Sequence, residues 1–104
     1  MDVGRMRSAL RAARVEWHRH ALERMVERGI RRSDALEVLF SGEVIEDYPD
    51  DQPFPSALFL GWMGTRPLHV IAALDLDGER VFIITAYEPD LKHFEPGFRV
   101  RRKP

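Results

Sequence analysis

The chain has 104 residues, of which 44% are hydrophobic and 32% are charged, and it contains no cysteine. These values are typical of one globular domain with a single core. The lack of cysteine excludes disulfides, thiolate metal sites and cysteine nucleophiles. No apolar run is long enough to cross a membrane, and the first residues lack the apolar core of a signal peptide. We therefore expect a single domain over residues 1–104, located in the cytoplasm and not associated with a membrane.

The net charge of −1 conceals a strong segregation along the chain. Residues 1–32 hold nine arginines and four acidic residues, whereas residues 33–60 hold seven acidic residues and no lysine or arginine. The basic tail at residues 99–104 adds four positive charges. If the basic start and the basic tail converge, they form a positive surface that suits RNA or a phosphate. The acidic middle could equally neutralise them within the fold, and both alternatives stay open.

Three short helices are predicted in the first half of the chain. An Arg/Ala/Leu-rich stretch predicts the first at about residues 4–14, and Val15–Trp17 is expected to be extended. Apolar residues at helical spacing predict the second helix, which begins near His20 and ends at Gly29. The third helix is expected over residues 34–40.

After the third helix the pattern changes to that of β-strands. Four strands are predicted at Glu43–Tyr48, Ala57–Met63, Leu68–Leu74 and Arg80–Tyr87. Their short connections favour antiparallel pairing, and Phe98–Arg102 is expected to add a short edge strand. The predicted fold class is α+β, with N-terminal helices packed on a curved antiparallel sheet of four to five strands.

His20, Arg24 and Arg28 are four residues apart on the second predicted helix. Residues at this spacing are neighbours on a helix surface, so the three side chains form one slanting row. An imidazole beside two permanent cations suits a phosphate, although Arg28 lies nearer the apolar stripe. The same row is also typical of the solvated side of an amphipathic helix. His18 and His20 resemble a metal pair, but no third ligand lies at a convincing spacing, so we expect no metal and no cofactor.

Four blocks of the sequence, taken in order, carry a family resemblance. They are His20-x3-Arg24-Met25-x2-Arg28-Gly-Ile, Gly42-Glu-Val-Ile-Glu-Asp-Tyr48-Pro, Pro67-Leu-His69-Val and Ile84-Thr85-Ala-Tyr87-Glu-Pro89-Asp. With these blocks the chain resembles the small bacterial proteins grouped as the domain of unknown function 4258, over roughly residues 17–90. The first helix and the Arg-rich tail lie outside the resemblance.

The resemblance implies a fold related to that of barnase, EndoU and RelE-like proteins, which include metal-independent ribonucleases and toxins of toxin–antitoxin pairs. It also implies a protein partner, a small antitoxin-like protein that binds zinc. In this fold the nuclease residues come from an early helix and the last strands, which corresponds here to His20, Arg24, Thr85 and Tyr87. The same scaffold also carries inactive and binding versions, so the resemblance leaves the activity open.

Whether His69 joins these residues depends on the hairpin between the last two predicted strands. A two-residue turn at Asp77-Gly78 places His69 on the face opposite to that of Thr85 and Tyr87. A three-residue turn with a bulge instead sets His69 beside Thr85. We include His69 as a candidate on the second alternative.

The sequence thus predicts a metal-independent ribonuclease of toxin–antitoxin type that cleaves RNA by attack of the 2′-hydroxyl. His20 would move protons and Arg24 would bind the phosphate. Tyr87 would donate a proton or stack on a base, and Thr85 would hydrogen-bond the phosphate. Further RNA contacts are expected from five arginines: Arg19, Arg28, Arg99, Arg101 and Arg102.

The alternative is a module without chemistry that binds RNA or a protein. Tyr48, Phe54, Phe59 and Trp62 lie near three prolines and could form an exposed apolar patch for an antitoxin or for a second copy of the chain. Adjacent positions of a strand alternate between faces, so Phe59 and Trp62 cannot share a face of a regular strand. One of these two side chains is therefore expected to face outward.

Overall fold

A computed structural model describes all residues of the chain, 1–104. Its helices are α1 (Val3–Arg11), α2 (Arg19–Arg28) and α3 (Arg32–Ser41). Its strands are β1 (Val15–Trp17), β2 (Glu43–Tyr48), β3 (Ser56–Met63), β4 (Arg66–Asp75) and β5 (Arg80–Tyr87). The α+β class is therefore confirmed, and β2 and β5 have the predicted bounds.

The five strands form one sheet in the order β1-β5-β4-β3-β2. The prediction of a wholly antiparallel sheet is wrong at one edge, because β1 runs parallel to β5. Parallel neighbours need a long crossover, and most of the chain separates these two strands. The argument from short connections holds only for β2 to β5, whose pairings are all antiparallel.

Local capping decides where the helices begin and end. As predicted, α2 stops before Gly29, whose φ of 69° is left-handed and favours glycine. The first helix is shorter than predicted, because it ends at Arg11 and Ala13 then takes a φ of 58°. The third helix begins earlier than predicted, since the Asp34 carboxylate accepts the backbone N–H of Arg31 at 2.9 Å and caps the first turn.

The helices cover one face of the sheet, and the main core lies between the two layers. Phe59, Leu68, Val70 and Ile83 point from the central strands toward the helices and are fully buried. Trp62 lies on the same strand as Phe59 but is 47% exposed. The alternation predicted for these two residues is confirmed, and the proposed apolar patch is wrong at Phe59, which belongs to the core.

The opposite face of the sheet is covered by the chain that follows β5, residues 88–104, here called the C-terminal segment. Leu58, Leu60 and His69 point to this face and are at most 2% exposed. The ring of Phe94, from the C-terminal segment, lies 4.6 Å from the His69 ring. The expected edge strand at Phe98–Arg102 is wrong, because this part of the chain makes only one isolated bridge, within the C-terminal segment itself. It lies across the sheet face instead of extending the sheet.

None of the three helices combines the length and the apolar character needed to cross a membrane.

Candidate active site

A bulge in β5 decides the position of His69. From Asp75–Arg80 to Ala72–Ile83 the two strands have the register that the turn at Asp77-Gly78 predicts, although four residues, 76–79, lie between the strands. The register then shifts by one residue between Ile71 and Ala72, where β5 carries an extra residue. As a result His69 lies directly opposite Tyr87, on the same face of the sheet. The turn alone therefore does not decide the face on which His69 lies, because the register shift lies inside β5.

Both ring nitrogens of the buried His69 have partners. Nε2 lies 2.9 Å from the carbonyl oxygen of Phe98, and Nδ1 lies 3.2 Å from the hydroxyl of Tyr87. A carbonyl oxygen can only accept, so Nε2 carries the proton of the neutral ring. Nδ1 then accepts, which means that the Tyr87 hydroxyl donates a hydrogen bond to His69. The Tyr87 oxygen therefore acts as an acceptor toward other groups, among them the Arg101 guanidinium, which helps to lower the pKa of Tyr87 against the effect of burial.

Burial lowers the pKa of His69, and the nearby Arg101 guanidinium acts in the same direction. The carbonyl of Phe98 and the Glu46 carboxylate oppose this shift. The neutral ring that the two hydrogen bonds require is therefore also the form that the surroundings favour. Burial raises the pKa of Tyr87, so its phenol is protonated over the neutral range.

This depressed pKa predicts how stability changes with pH. The pKa of His69 in the folded state lies below its ordinary value of 6.5, so the unfolded chain takes up a proton first as the pH falls. The contribution of His69 is fully present above pH 6.5 and is lost as the pH falls through the folded-state pKa. Urea unfolding from about pH 7.5 to 5 should show this loss. The variant His69→Gln should lose less stability over the same range, and parallel curves would contradict the prediction.

Arg101 fastens the C-terminal segment to the sheet. Its Nε and Nη2 lie 3.2 and 3.0 Å from the two carboxylate oxygens of Glu46 on β2. Its guanidinium also lies 4.9 Å from the centre of the Phe94 ring. This ion pair lowers the pKa of Glu46 and raises the pKa of Arg101. The Nη1 group takes no part in the two bonds to Glu46, and the same guanidinium also acts on the hydroxyls of Tyr48 and Tyr87.

A cleft of about 240 Å³ opens beside the ion pair of Arg101 and Glu46. It is lined by residues from the end of β5 and from the C-terminal segment: Tyr87, Glu88, Pro89, Asp90, His93, Phe94 and Arg101. We call it the Tyr87 cleft. Tyr87 lies in its lining and, through His69, connects it to the buried face of the sheet.

His93 and Asp90 form a pair within the Tyr87 cleft. Nδ1 of His93 lies 2.8 Å from Oδ1 of Asp90, and the same oxygen accepts the backbone N–H groups of Lys92 and His93. The bond to His93 lowers the pKa of Asp90, so the carboxylate is ionised and accepts a hydrogen bond from Nδ1–H of His93. In the neutral ring Nε2 then carries a free lone pair, and 67% of the side chain is exposed. This is the arrangement of an oriented general base.

The sequence-based candidates did not include His93 or Asp90. The signal that marks them is the spacing Asp90-x-x-His93 directly after the last strand. A carboxylate at this spacing reaches back to the following backbone N–H groups and to the imidazole.

His20 and Arg24 lie on the outer side of α2. His20 is paired only with Glu23, at 3.7 Å, and Arg24 only with Glu27, at 4.0 Å. Neither forms a hydrogen bond or an ion pair with Thr85, Tyr87 or His69. A row of residues four apart turns by about 40° per step around the helix, so its ends face different directions.

Arg28, at the far end of that row, does reach the sheet. Its Nη1 donates to the carbonyl oxygen of Ala86 at 2.9 Å, and the charge of Arg28 helps to lower the pKa of Tyr87 against the effect of burial. Thr85 lies opposite Ile71 on the face that carries Tyr87 and His69. The structure therefore brings together Tyr87 and His69, with Thr85 on the same face, whereas Arg28 bonds the backbone of β5.

The arginines predicted to contact RNA all have partners within the chain. Arg19 pairs with Glu23, and Arg102 with Glu95. Arg99 pairs with Glu43 as Arg101 does with Glu46, so two tail arginines meet the acidic β2. This is the arrangement expected if the acidic middle neutralises the basic tail. Exposed ion pairs of this kind contribute about 0–1 kcal/mol each, so a phosphate can compete for such arginines.

The side chains of His18 and Asp75 each make local contacts. No group of three or more histidine or acidic side chains is placed to hold a metal ion, and His18 lies beside the ring of Phe82. The carboxylate of Asp75 accepts the backbone N–H groups of Asp77 and Gly78, both at 3.1 Å, as a turn requires.

The chain matches one known protein family. Residues 17–88 match the family described as a domain of unknown function, DUF4258. No curated protein and no solved structure matches the chain. The matched residues include α2, α3, β2 to β5 and the last residue of β1, whereas His93 and the rest of the C-terminal segment beyond residue 88 lie outside the match. By this match over most of its length, the chain belongs to the DUF4258 family.

Proposed function

We propose that this protein is a metal-independent ribonuclease that cleaves RNA in the Tyr87 cleft. The observation that carries the proposal is the exposed imidazole of His93, oriented by Asp90, in the same cleft as the guanidinium of Arg101. An oriented imidazole and a guanidinium are the groups needed to move a proton and to balance charge on a phosphate. The proton-transfer role thus passes from His20, the candidate on the helix, to His93.

Each group in the cleft has a defined task in this reaction. Nε2 of His93 takes the proton of the 2′-hydroxyl, whose oxygen attacks the adjacent phosphorus. Nη1 of Arg101 binds a phosphate oxygen, while Glu46 holds the rest of the guanidinium in place. The bond to the 5′-oxygen breaks, that oxygen takes a proton from water, and the hydroxide so formed takes the proton from Nε2 of His93. The products are a 2′,3′-cyclic phosphate and a 5′-hydroxyl.

Tyr87 and His69 have supporting tasks. The oxygen of Tyr87 can accept a hydrogen bond from a ribose hydroxyl, because its O–H group already donates a hydrogen bond to His69. His69 is fully buried and is a positioning residue. Its two hydrogen bonds hold the phenol of Tyr87 in place relative to the carbonyl of Phe98. Thr85 lies next along this face and is a further donor for phosphate.

The test is cleavage of a single-stranded RNA by the purified full chain in the presence of a chelator. We expect products that end in a 2′,3′-cyclic phosphate. The matched control is the same oligonucleotide with one 2′-deoxy sugar at the cleavage position, which should remain intact. Cleavage of this control, or no cleavage of the RNA at any protein concentration, would contradict the proposal.

A second candidate function is binding without cleavage, to RNA or to a small antitoxin-like protein that carries zinc. Trp62 favours a protein partner, because it is 47% exposed beside Phe98 on the outer face of the sheet. RNA that is retained in a salt-dependent manner but never cut would favour this second candidate. A stable complex with such a protein is compatible with either function.

A further inference from the structure

A second cleft lies on the same face of the sheet as the Tyr87 cleft. It has a volume of about 310 Å³ and is lined mainly by apolar side chains, among them Phe54, Phe82, Ile71 and Ile84. We call it the Phe54 cleft. Its volume is at the lower end of the range of small-molecule sites, roughly 300–1,000 Å³, which suits one planar ring system.

The walls of the Phe54 cleft are aromatic. The rings of Phe54 and Phe82 are stacked, with centres 5.4 Å apart and an angle of 11° between the planes. The His18 ring meets Phe82 edge-on at 6.3 Å. Neither phenylalanine is fully buried, although both are large and apolar. Flat apolar walls of this kind bind bases by stacking and edge contacts and do not depend on base identity.

One carboxylate adds selectivity to the Phe54 cleft. Oδ2 of Asp51 accepts the hydroxyl of Ser56 at 2.6 Å, and Oδ1 accepts the backbone N–H of Gln52 at 2.9 Å. Each oxygen keeps a further lone pair, and these bonds hold the carboxylate at the rim. An ionised carboxylate accepts N–H groups and repels phosphate. The cleft therefore suits a neutral ring with amino donors and not an anion.

The two clefts are neighbours along β4 and β5. Ile71 lines the Phe54 cleft and lies two residues from His69, which contacts Tyr87. Two strand residues span about 7 Å. Thr85, the partner of Ile71, lies between the two clefts on the same face. A nucleotide with its base in the Phe54 cleft can therefore direct its phosphate past Thr85 toward Tyr87 and Arg101.

We propose that the Phe54 cleft is a base-binding subsite for a nucleobase with an exocyclic amino group, adenine, guanine or cytosine, adjacent to the scissile phosphate. The assignment of that base to a substrate rests on the proposed RNA cleavage. The preference itself rests on the Asp51 carboxylate. Uracil has no amino group, and its single N–H donor on that edge lies between two carbonyl oxygens that the carboxylate repels.

Binding of nucleosides to the full chain tests the proposal without any need for cleavage. We expect adenosine and cytidine to shift the NMR signals of Phe54, Phe82 and His18, and uridine to bind roughly ten-fold more weakly. The variant Asp51→Asn should lose this preference, because an amide both donates and accepts. The variant Phe54→Ala should weaken binding of every nucleoside by roughly ten-fold. The matched control is Asp50→Asn, which changes a neighbouring carboxylate that does not line this cleft and should bind like the parent.

The two proposals fail in different ways. Equal binding of cytidine and uridine, or shifts confined to residues outside the Phe54 cleft, would overturn the subsite whatever happens to RNA. Amino-selective binding that is lost in Asp51→Asn would support the subsite even if no RNA is cut. In that case the lack of cleavage would contradict only the proposed ribonuclease activity.

Discussion

The variant His93→Ala is expected to cleave RNA roughly 10²- to 10⁴-fold more slowly than the parent chain. The reason is the loss of the only imidazole in the Tyr87 cleft, whose Nδ1 is held by Asp90 and whose Nε2 is left as a base. The measurement is the initial rate of RNA cleavage in the presence of a chelator. Because the His93 side chain is 67% exposed, its removal should change the free energy of unfolding by no more than about 0.5 kcal/mol.

The matched control is His20→Ala, which removes an imidazole from the outer side of α2. His20 is also exposed and is also paired with one carboxylate, that of Glu23. This control should cleave RNA at nearly the parent rate. A large loss in His20→Ala with full activity in His93→Ala would return the proton-transfer role to the helix and exclude the Tyr87 cleft as the reaction site.

The architecture was largely predictable because its signals are local. Apolar periodicity and turn residues specify α2, β2 and β5 within a few positions of the chain, and the bounds of β2 and β5 agree with the prediction. The parallel pairing of β1 was not predictable in this way. Its partner Val81 lies 66 positions after Val15, and no local pattern in a three-residue strand indicates which edge it joins.

The candidate site was less predictable because it depends on register. The bulge in β5 moves His69 from one cross-strand partner to another, and a single extra residue leaves no mark in the hydrophobic pattern. The sequence did indicate His69 and Tyr87 as candidates. Their contact, and its link to the carbonyl of Phe98, depend on the C-terminal segment that folds back over the sheet.

The charge pattern was visible in the sequence, but its consequence was not. An acidic middle and a basic tail are compatible with a shared positive surface or with mutual neutralisation. The structure brings Arg99 and Arg101 onto Glu43 and Glu46 of β2. Individual hydrogen bonds therefore decide which arginine groups can meet a ligand. In Arg101, for example, the bonds to Glu46 occupy Nε and Nη2 but not Nη1.

The variant Phe59→Ala is expected to lower the free energy of unfolding by about 3–5 kcal/mol. Phe59 is 0% exposed and is one of the largest fully buried side chains, in the core between β3 and the helices. Its removal takes apolar surface out of the core and leaves a cavity that the fixed strand cannot close. Since small domains are stable by only about 5–15 kcal/mol, this loss is a large share of the total. Urea unfolding followed by circular dichroism measures it.

The matched control is Trp62→Ala, three residues further along the same strand and on its other face. Trp62 is a larger side chain than Phe59, but it is 47% exposed, so its removal should cost at most about 1 kcal/mol. If Phe59→Ala does not fold, Phe59→Leu should fold and lose less stability than Phe59→Ala, because it removes fewer buried atoms and leaves a smaller cavity. A greater loss from Trp62→Ala than from Phe59→Ala would mean that the inward and outward faces of β3 are reversed. In that case His69, which pairs with Leu60 on the outer face, would not meet the C-terminal segment either.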